Sequence, residues 1–184
     1  QGEFLDAEAG ARILEIAASD SYEYKDVLSL GSIVEDDSYI QKHVDEILNL
    51  ELVDKEAIAK ANFKIATDSV KSTGGIAVPA LLKALGVEVV KDLYGEPNGH
   101  FPHNPEPLAE NLTEISSVVK NGDFDLGIVV DPDVDRLCFV CDDGEMFGEE
   151  YTLVAVADYV LSHHKGATVS NLSSTRALRD VTEK

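Results

Sequence analysis

The hexapeptide Asp131-Pro132-Asp133-Val134-Asp135-Arg136 places three carboxylates at alternate positions directly after the apolar run LGIVV. Alternate residues of an extended chain leave the same side. Pro132 fixes its own φ and keeps Asp131 out of the helical region. Fully extended, alternate aspartates stand roughly 6.6 Å apart, whereas oxygens sharing one magnesium-sized ion at about 2.1 Å lie about 3 Å from each other. A cation site built from Asp131, Asp133 and Asp135 therefore requires the chain to curl. Three convergent carboxylates repel strongly in a partly desolvated site unless a cation lies between them. Oxygen-only ligation selects magnesium, manganese or calcium over zinc. Arg136 adds a guanidinium suited to paired hydrogen bonds with phosphate oxygens, and a metal beside an arginine points to phosphoryl chemistry.

Two other readings compete. In a chain with 35 acidic residues some alternate triplets arise by chance, which makes a solvated acidic turn the bland alternative. An EF-hand also begins with ligands at positions 1, 3 and 5. Here its sixth position, which needs glycine, is Arg136, its twelfth is Asp142, and the flanking patterns are those of strands.

The elements that must position this loop follow from periodicity. Residues 7–18 carry apolar residues at helical spacing with Asp6 as cap, and 19–37 reads as an irregular connector. Asp36 or Asp37 is expected to open a helix over 38–50, and Asp54 to cap another over 55–62. From Phe63 the pattern alternates. FKIATD is a strand, IAVPALLKALG a helix closed by Gly86, VEVVKDL a strand, and LAENLTEISSVVKNG a helix ending at Gly122. DLGIVVD reads as a strand buried on both faces. LCFVCDD is a further strand, YTLVAVADYVLSHH a helix, ATVSNL a strand and TRALRDVTEK the start of a helix. This order indicates an α/β fold with a mixed sheet covered by helices, and it sets Asp131 at a strand end, where such sheets bind ligands.

Composition sets outer limits. With 184 residues and 44% hydrophobic content, the chain can bury one full core and part of a second. Fifteen basic against 35 acidic residues give a net charge of −20, which argues against nucleic acid and anionic membrane surfaces as partners. No apolar run approaches the roughly 20 residues that cross a bilayer, and no basic stretch precedes an apolar one at the N-terminus, so a cytoplasmic protein is expected. Cys138 and Cys141 fall inside LCFVC, where residues three apart face opposite sides, so packing is preferred to a metal or redox pair. His100 and His103 lack a cysteine or acidic partner at ligand spacing and are read as shaping their proline loop. Lys71-Ser72-Thr73-Gly74-Gly75 is not a Walker loop, because position 66 is Ala, and its glycines are read as allowing close strand-to-helix packing.

Several segments together resemble one family. GIVVDPDVDR is similar to the magnesium loop of the α-D-phosphohexomutases, the phosphoglucomutase and phosphomannomutase superfamily. FKIATDSVKSTGGIAVPALLKALG resembles the opening of that family's second domain, GHFPHNPEPLAENL its Phe-Pro segment, and DDGEMFGEEYTLVAVADYVL its closing hairpin and helix. The resemblance covers roughly residues 60–184, with GEFLDAEAGARILEIA similar to the end of the first domain. It implies domain II over 36–164, a remnant of domain I and a connector over 1–35, and the beginning of domain III over 165–184. It also implies Mg2+ as cofactor, Asp131, Asp133 and Asp135 as its ligands, and Arg136 as the catalytic residue that steadies the transferring phosphoryl group. A hexose phosphate would be the substrate, phosphorylated by a phosphoserine through a bisphosphorylated intermediate.

The departures are equally specific. The phosphoserine motif T-[AS]-S-H-N-P does not occur; the Ser162-His163 pair is followed by His164. GEMFGEE has Phe147 where the sugar-recognition loop G-E-x-S-G-H needs serine, and in NLSSTRAL Ser173 stands where some members carry lysine. The chain alone is therefore expected to bind metal weakly and to be inactive. Two rival functions remain: a haloacid-dehalogenase-type phosphatase with Asp131 as nucleophile, and a non-catalytic cation-binding module.

Overall fold

The computed structural model describes residues 3–183. It divides into two compact units, one up to Asp36 and one from Asp37 onward. In the first, helix α1 (Ala7–Ser19) is capped as expected: the Asp6 carboxylate accepts the Ala9 N–H at 2.7 Å. The helix ends where Asp20 turns left-handed, at φ 52°. The connector holds a single 3-10 turn, Val27–Ser29, capped by Asp26.

The second unit opens with α2 (Tyr39–Leu48) and α3 (Lys55–Ala61). Asp54 caps α3 through the Ala57 N–H, whereas the cap position of α2 is Ser38, one or two residues later than expected. The alternating region supplies β1 (Lys64–Asp68), α4 (Gly74–Ala84), β2 (Glu88–Leu93), α5 (Thr113–Asn121), β3 (Leu126–Val130), β4 (Leu137–Cys141) and α6 (Glu149–His163). The sheet order is β2-β1-β3-β4. Strand β1 runs parallel to both β2 and β3, while β3 and β4 pair antiparallel. The sheet is therefore mixed and flanked by helices.

Strand periodicity splits the core between the two faces. Ala66, Val129, Cys138 and Val140 pack with Leu112, Ile115 and Val119 on the α5 side. Ile65 and Ile128, one residue along each strand, turn to the other face and pack with Val78 and Leu82 of α4 and Ile58 of α3. Cys138 is buried and Cys141 only partly so, as strand alternation requires, and both are free thiols.

Two sequence expectations are corrected. The helix expected over 108–122 is two pieces, a 3-10 turn (Ala109–Asn111) and α5. The break falls at Leu112, whose φ of −109° turns its side chain into the core, where it is 1% exposed. The strand expected at ATVSNL does not form. Among the described residues it finds no neighbouring strand to satisfy its backbone groups, Val169 and Leu172 are 95% and 107% exposed, and Asn171 Oδ1 instead accepts the N–H groups of Ser173 and Ser174. The chain then enters α7 (Ala177–Thr182), which packs on α6. Among the described residues, no helix is long and apolar enough to cross a membrane.

Candidate metal centre

Strands β2, β1 and β3 are parallel, so their carboxyl ends share one edge of the sheet. Asp131 follows β3 directly, and Val130 pairs with Leu137 across the antiparallel ladder. Residues 131–136 are thus the loop of a β-hairpin and must reverse direction whatever they bind. Val134 supplies the reversal with φ 63°, a left-handed conformation uncommon for a β-branched residue. Asp131 organises the turn. Its carbonyl accepts the Val134 N–H at 3.2 Å, and its Oδ1 accepts the N–H groups of Asp135 and Arg136 at 3.1 and 3.2 Å. From the α4 side, the Ser72 hydroxyl donates to the Pro132 carbonyl at 2.8 Å.

The consequence is convergence. One carboxylate oxygen from each of Asp131, Asp133 and Asp135 lies within 4.8 Å of the others, with Asp131 buried and the other two exposed. The Asp135 carboxyl is pushed above its ordinary range, first by its hydrogen bond with the Asp131 carboxylate and then by the negative charges of Asp133 and Asp131. That is the electrostatic conflict a divalent cation relieves, and three carboxylate oxygens are the donors that a hard cation takes.

Arg136, the fourth site residue read from the sequence, donates from Nη1 to Glu106 Oε1 at 2.8 Å. Glu106 comes from the proline loop between β2 and α5.

The same edge holds a buried pair that local spacing did not reveal. Asp68, the last residue of β1, is 1% exposed; its Oδ1 accepts the Val70 N–H at 3.0 Å, and its Oδ2 lies 3.1 Å from His103 Nε2. His103 Nδ1 stands 2.8 Å from the Asn104 carbonyl, which can only accept. A proton on Nδ1 can be donated there, and one on Nε2 to Asp68. Burial pushes the Asp68 carboxyl above its ordinary range, against the opposing effects of the Val70 N–H and His103. The acidic partner of His103 is 35 residues upstream, beyond any spacing motif. The available signal was that FKIATD, like LGIVVD, ends an apolar strand in aspartate. Beside this pair the Tyr94 ring meets His103 edge-on at 5.8 Å, and the Tyr94 hydroxyl donates to Glu114, which pushes its pKa up to about 12.

The glycines of the KSTGG turn act through packing. A Cβ on Gly74 would stand 2.3 Å from Val130 Cγ2, and one on Gly75 1.8 Å from the Gly95 carbonyl oxygen. His100, the other histidine of the proline loop, is exposed, its N–H donating to Asn98 Oδ1.

Comparison with known proteins agrees with the motif resemblance. Residues 39–144 match the family model of phosphoglucomutase/phosphomannomutase, alpha/beta/alpha domain II. A probable phosphoglucosamine mutase of Methanopyrus kandleri is 30% identical over 172 residues, covering 92% of this chain and 37% of that protein. A phosphoglucomutase/phosphomannomutase of Thermococcus kodakarensis is 31% identical over 182 residues, covering 98% and 39%. The crystal structure of a phosphoglucomutase/phosphomannomutase family protein from Burkholderia thailandensis superposes with a TM-score of 0.68 at 25% identity, covering 97% of this chain and 38% of that one. The chain thus spans 37–39% of the length of these two curated relatives, which are named as phosphomutases. It belongs to the phosphoglucomutase/phosphomannomutase family, of which it carries the α/β/α domain II.

Proposed function

We propose that this chain supplies the metal-binding domain of a phosphohexomutase, an intramolecular phosphotransferase that interconverts hexose 1-phosphate and hexose 6-phosphate. The observation that carries this reading is the convergence of the Asp131, Asp133 and Asp135 carboxylates at the carboxyl end of β3. The three residues fit a hard divalent cation, and Mg2+ is the ion we assign to them. When bound, it would neutralise charge on the bridging oxygens as the loose transition state of phosphoryl transfer develops. Asp131 holds the loop in its curled form through two backbone N–H groups. Arg136 directs a guanidinium at the transferring phosphoryl group, whose oxygens accept paired hydrogen bonds. The donor is taken to be a phosphoserine on a segment outside this chain, in which no T-[AS]-S-H-N-P motif occurs. Residues 36–164 form the metal-binding domain in this proposal, with 1–35 and 165–184 belonging to its neighbours. The relatives' names span glucose, mannose and glucosamine phosphates, so the hexose phosphate class is proposed and no single sugar.

The test uses the intact protein that carries this chain, stripped of metal and then given Mg2+ with glucose, mannose or glucosamine 1-phosphate. Mg2+-dependent formation of a 6-phosphate, lost in Asp133→Asn, is expected. Absence of conversion for all three sugars, or an aspartyl adduct at Asp131 on incubation with acetyl phosphate or beryllofluoride, overturns the reading in favour of a cation-binding module or a phosphatase respectively.

A further inference from the structure

The proline loop, residues 97–107, returns to the carboxyl edge of the sheet, where the Gly99 N–H donates to the Lys71 carbonyl at 2.9 Å and two side-chain contacts fasten it further. His103 Nε2 contacts Asp68 Oδ2 at 3.1 Å, with side chains 19% and 2% exposed, so this anchor is well shielded. Three residues on, Glu106 Oε1 accepts from Arg136 Nη1 at 2.8 Å, with side chains 49% and 45% exposed. Between these points the backbone of Glu106 is held on both sides. Its N–H donates to Asn104 Oδ1 at 3.1 Å, its carbonyl accepts from Asn111 Nδ2 at 2.9 Å, and Pro105 and Pro107 flank it with fixed φ. An exposed loop glutamate ordinarily samples many positions. In Glu106 the backbone is held on both sides, and its carboxylate meets the guanidinium of Arg136, the last residue of the aspartate loop.

A long arginine loses rotamer freedom when it meets an anion, and a group ordered beforehand loses less. We propose that Glu106 is a positioning residue for Arg136: its carboxylate holds the guanidinium beside the aspartate loop before the phosphoryl group arrives, and the His103–Asp68 contact anchors the segment that carries it. The task assigned to Arg136 rests on the phosphohexomutase reading, whereas the holding contact does not.

Glu106→Ala in the intact protein is expected to lower kcat about two- to fivefold, the range of an exposed ion pair. KM for the sugar phosphate, the melting temperature and Mg2+ affinity should be unchanged, because the aspartates are untouched. Glu106→Gln, which keeps an acceptor oxygen, should fall between alanine and wild type. The deciding measurement is a double-mutant cycle, since residues that act as one unit are not additive. With Arg136→Ala already in place, Glu106→Ala should have no further effect; an equal loss in that background overturns the proposal, as does an unchanged kcat in Glu106→Ala alone. Side-chain NMR of the Arg136 Nε–H separates failure of this inference from failure of the functional reading. If the intact protein has no mutase activity, a slowed guanidinium in wild type that becomes mobile in Glu106→Ala still supports the holding role. Equal mobility in both overturns it.

Discussion

Ser72→Ala removes a hydroxyl that joins two chain segments 60 residues apart, the turn before α4 and the aspartate loop. The lost bond, Oγ to the Pro132 carbonyl at 2.8 Å, is partly buried, and a hydrogen bond of this kind contributes about 0.5–1.5 kcal/mol net. Opposing it is the left-handed Val134, at φ 63°, a conformation that costs an L-residue roughly 1–2 kcal/mol. The variant keeps the three N–H groups that donate to Asp131, those of Val134, Asp135 and Arg136. The loop should therefore loosen without being abolished. A loss of about 1 kcal/mol shifts the ratio of ordered to open loop about fivefold. Apparent affinity scales with the fraction in the binding form, so the Mg2+ dissociation constant should rise by at most about fivefold. The assay is isothermal titration of Mg2+ into metal-free wild type and Ser72→Ala, with urea unfolding of both in parallel. A variant whose unfolding midpoint and Mg2+ isotherm both match wild type refutes the claim that this bond holds the loop. A loss of affinity far above tenfold refutes the magnitude and moves Ser72 into the cation's own shell.

Gly75→Ala should destabilise the second unit at or beyond the upper end of about 1–3 kcal/mol, because the added Cβ would stand 1.8 Å from a backbone oxygen that cannot swing aside; urea unfolding measures it. Gly10→Ala is its control, with nothing within 4 Å of the new Cβ, and should stabilise α1 by about 0.5–1 kcal/mol in a thermal melt followed by far-UV circular dichroism. Val134→Gly relieves roughly 1–2 kcal/mol of backbone strain and frees the unfolded chain by about 0.4–1 kcal/mol. Stability should stay level or rise slightly, and a fall of more than about 1 kcal/mol contradicts the strain argument. The Asp68 carboxyl has a folded pKa above its ordinary 3.8, so between the two values the native state binds more protons than the unfolded state. Stability due to this group is fully present below 3.8 and is lost as pH rises through the folded value. Asp68→Asn removes this dependence; a difference in unfolding free energy from wild type that does not change with pH across the window refutes the assignment.

What the sequence disclosed was local. The aspartate loop was legible because Pro132, the alternating carboxylates and the preceding apolar strand act within ten residues of one another, and such short-range patterns survive folding. The glycine turn was legible for the same reason, since two adjacent glycines already suggest a close approach. What escaped notice depends on which segments meet. Glu106 and Arg136 are 30 residues apart, and Asp68 and His103 are 35 apart; only the parallel order of β2, β1 and β3 brings their loops to one edge. ATVSNL has the composition of a strand, yet a strand exists only beside a partner, and among the described residues no strand lies beside it. Leu112 interrupts an apparently continuous helix at a residue whose side chain is buried in the core, a long-range contact that local periodicity does not carry.

The aspartate loop also corrects the sequence argument in its cause. From spacing alone, the curl of residues 131–136 followed from the demand of a shared ion. The strand register supplies a stronger reason. Val130 pairs with Leu137, so six residues must close a hairpin, and Val134 enters the left-handed region to do so. The curl therefore belongs to the fold and precedes any ligand. On the proposed cation-binding reading, a preformed loop spares the ion most of the ordering cost that a flexible acidic segment would impose. The hairpin, and the Ser72 bond across it, fix the backbone from which the three carboxylates leave, so their approach to within 4.8 Å of one another starts from the fold.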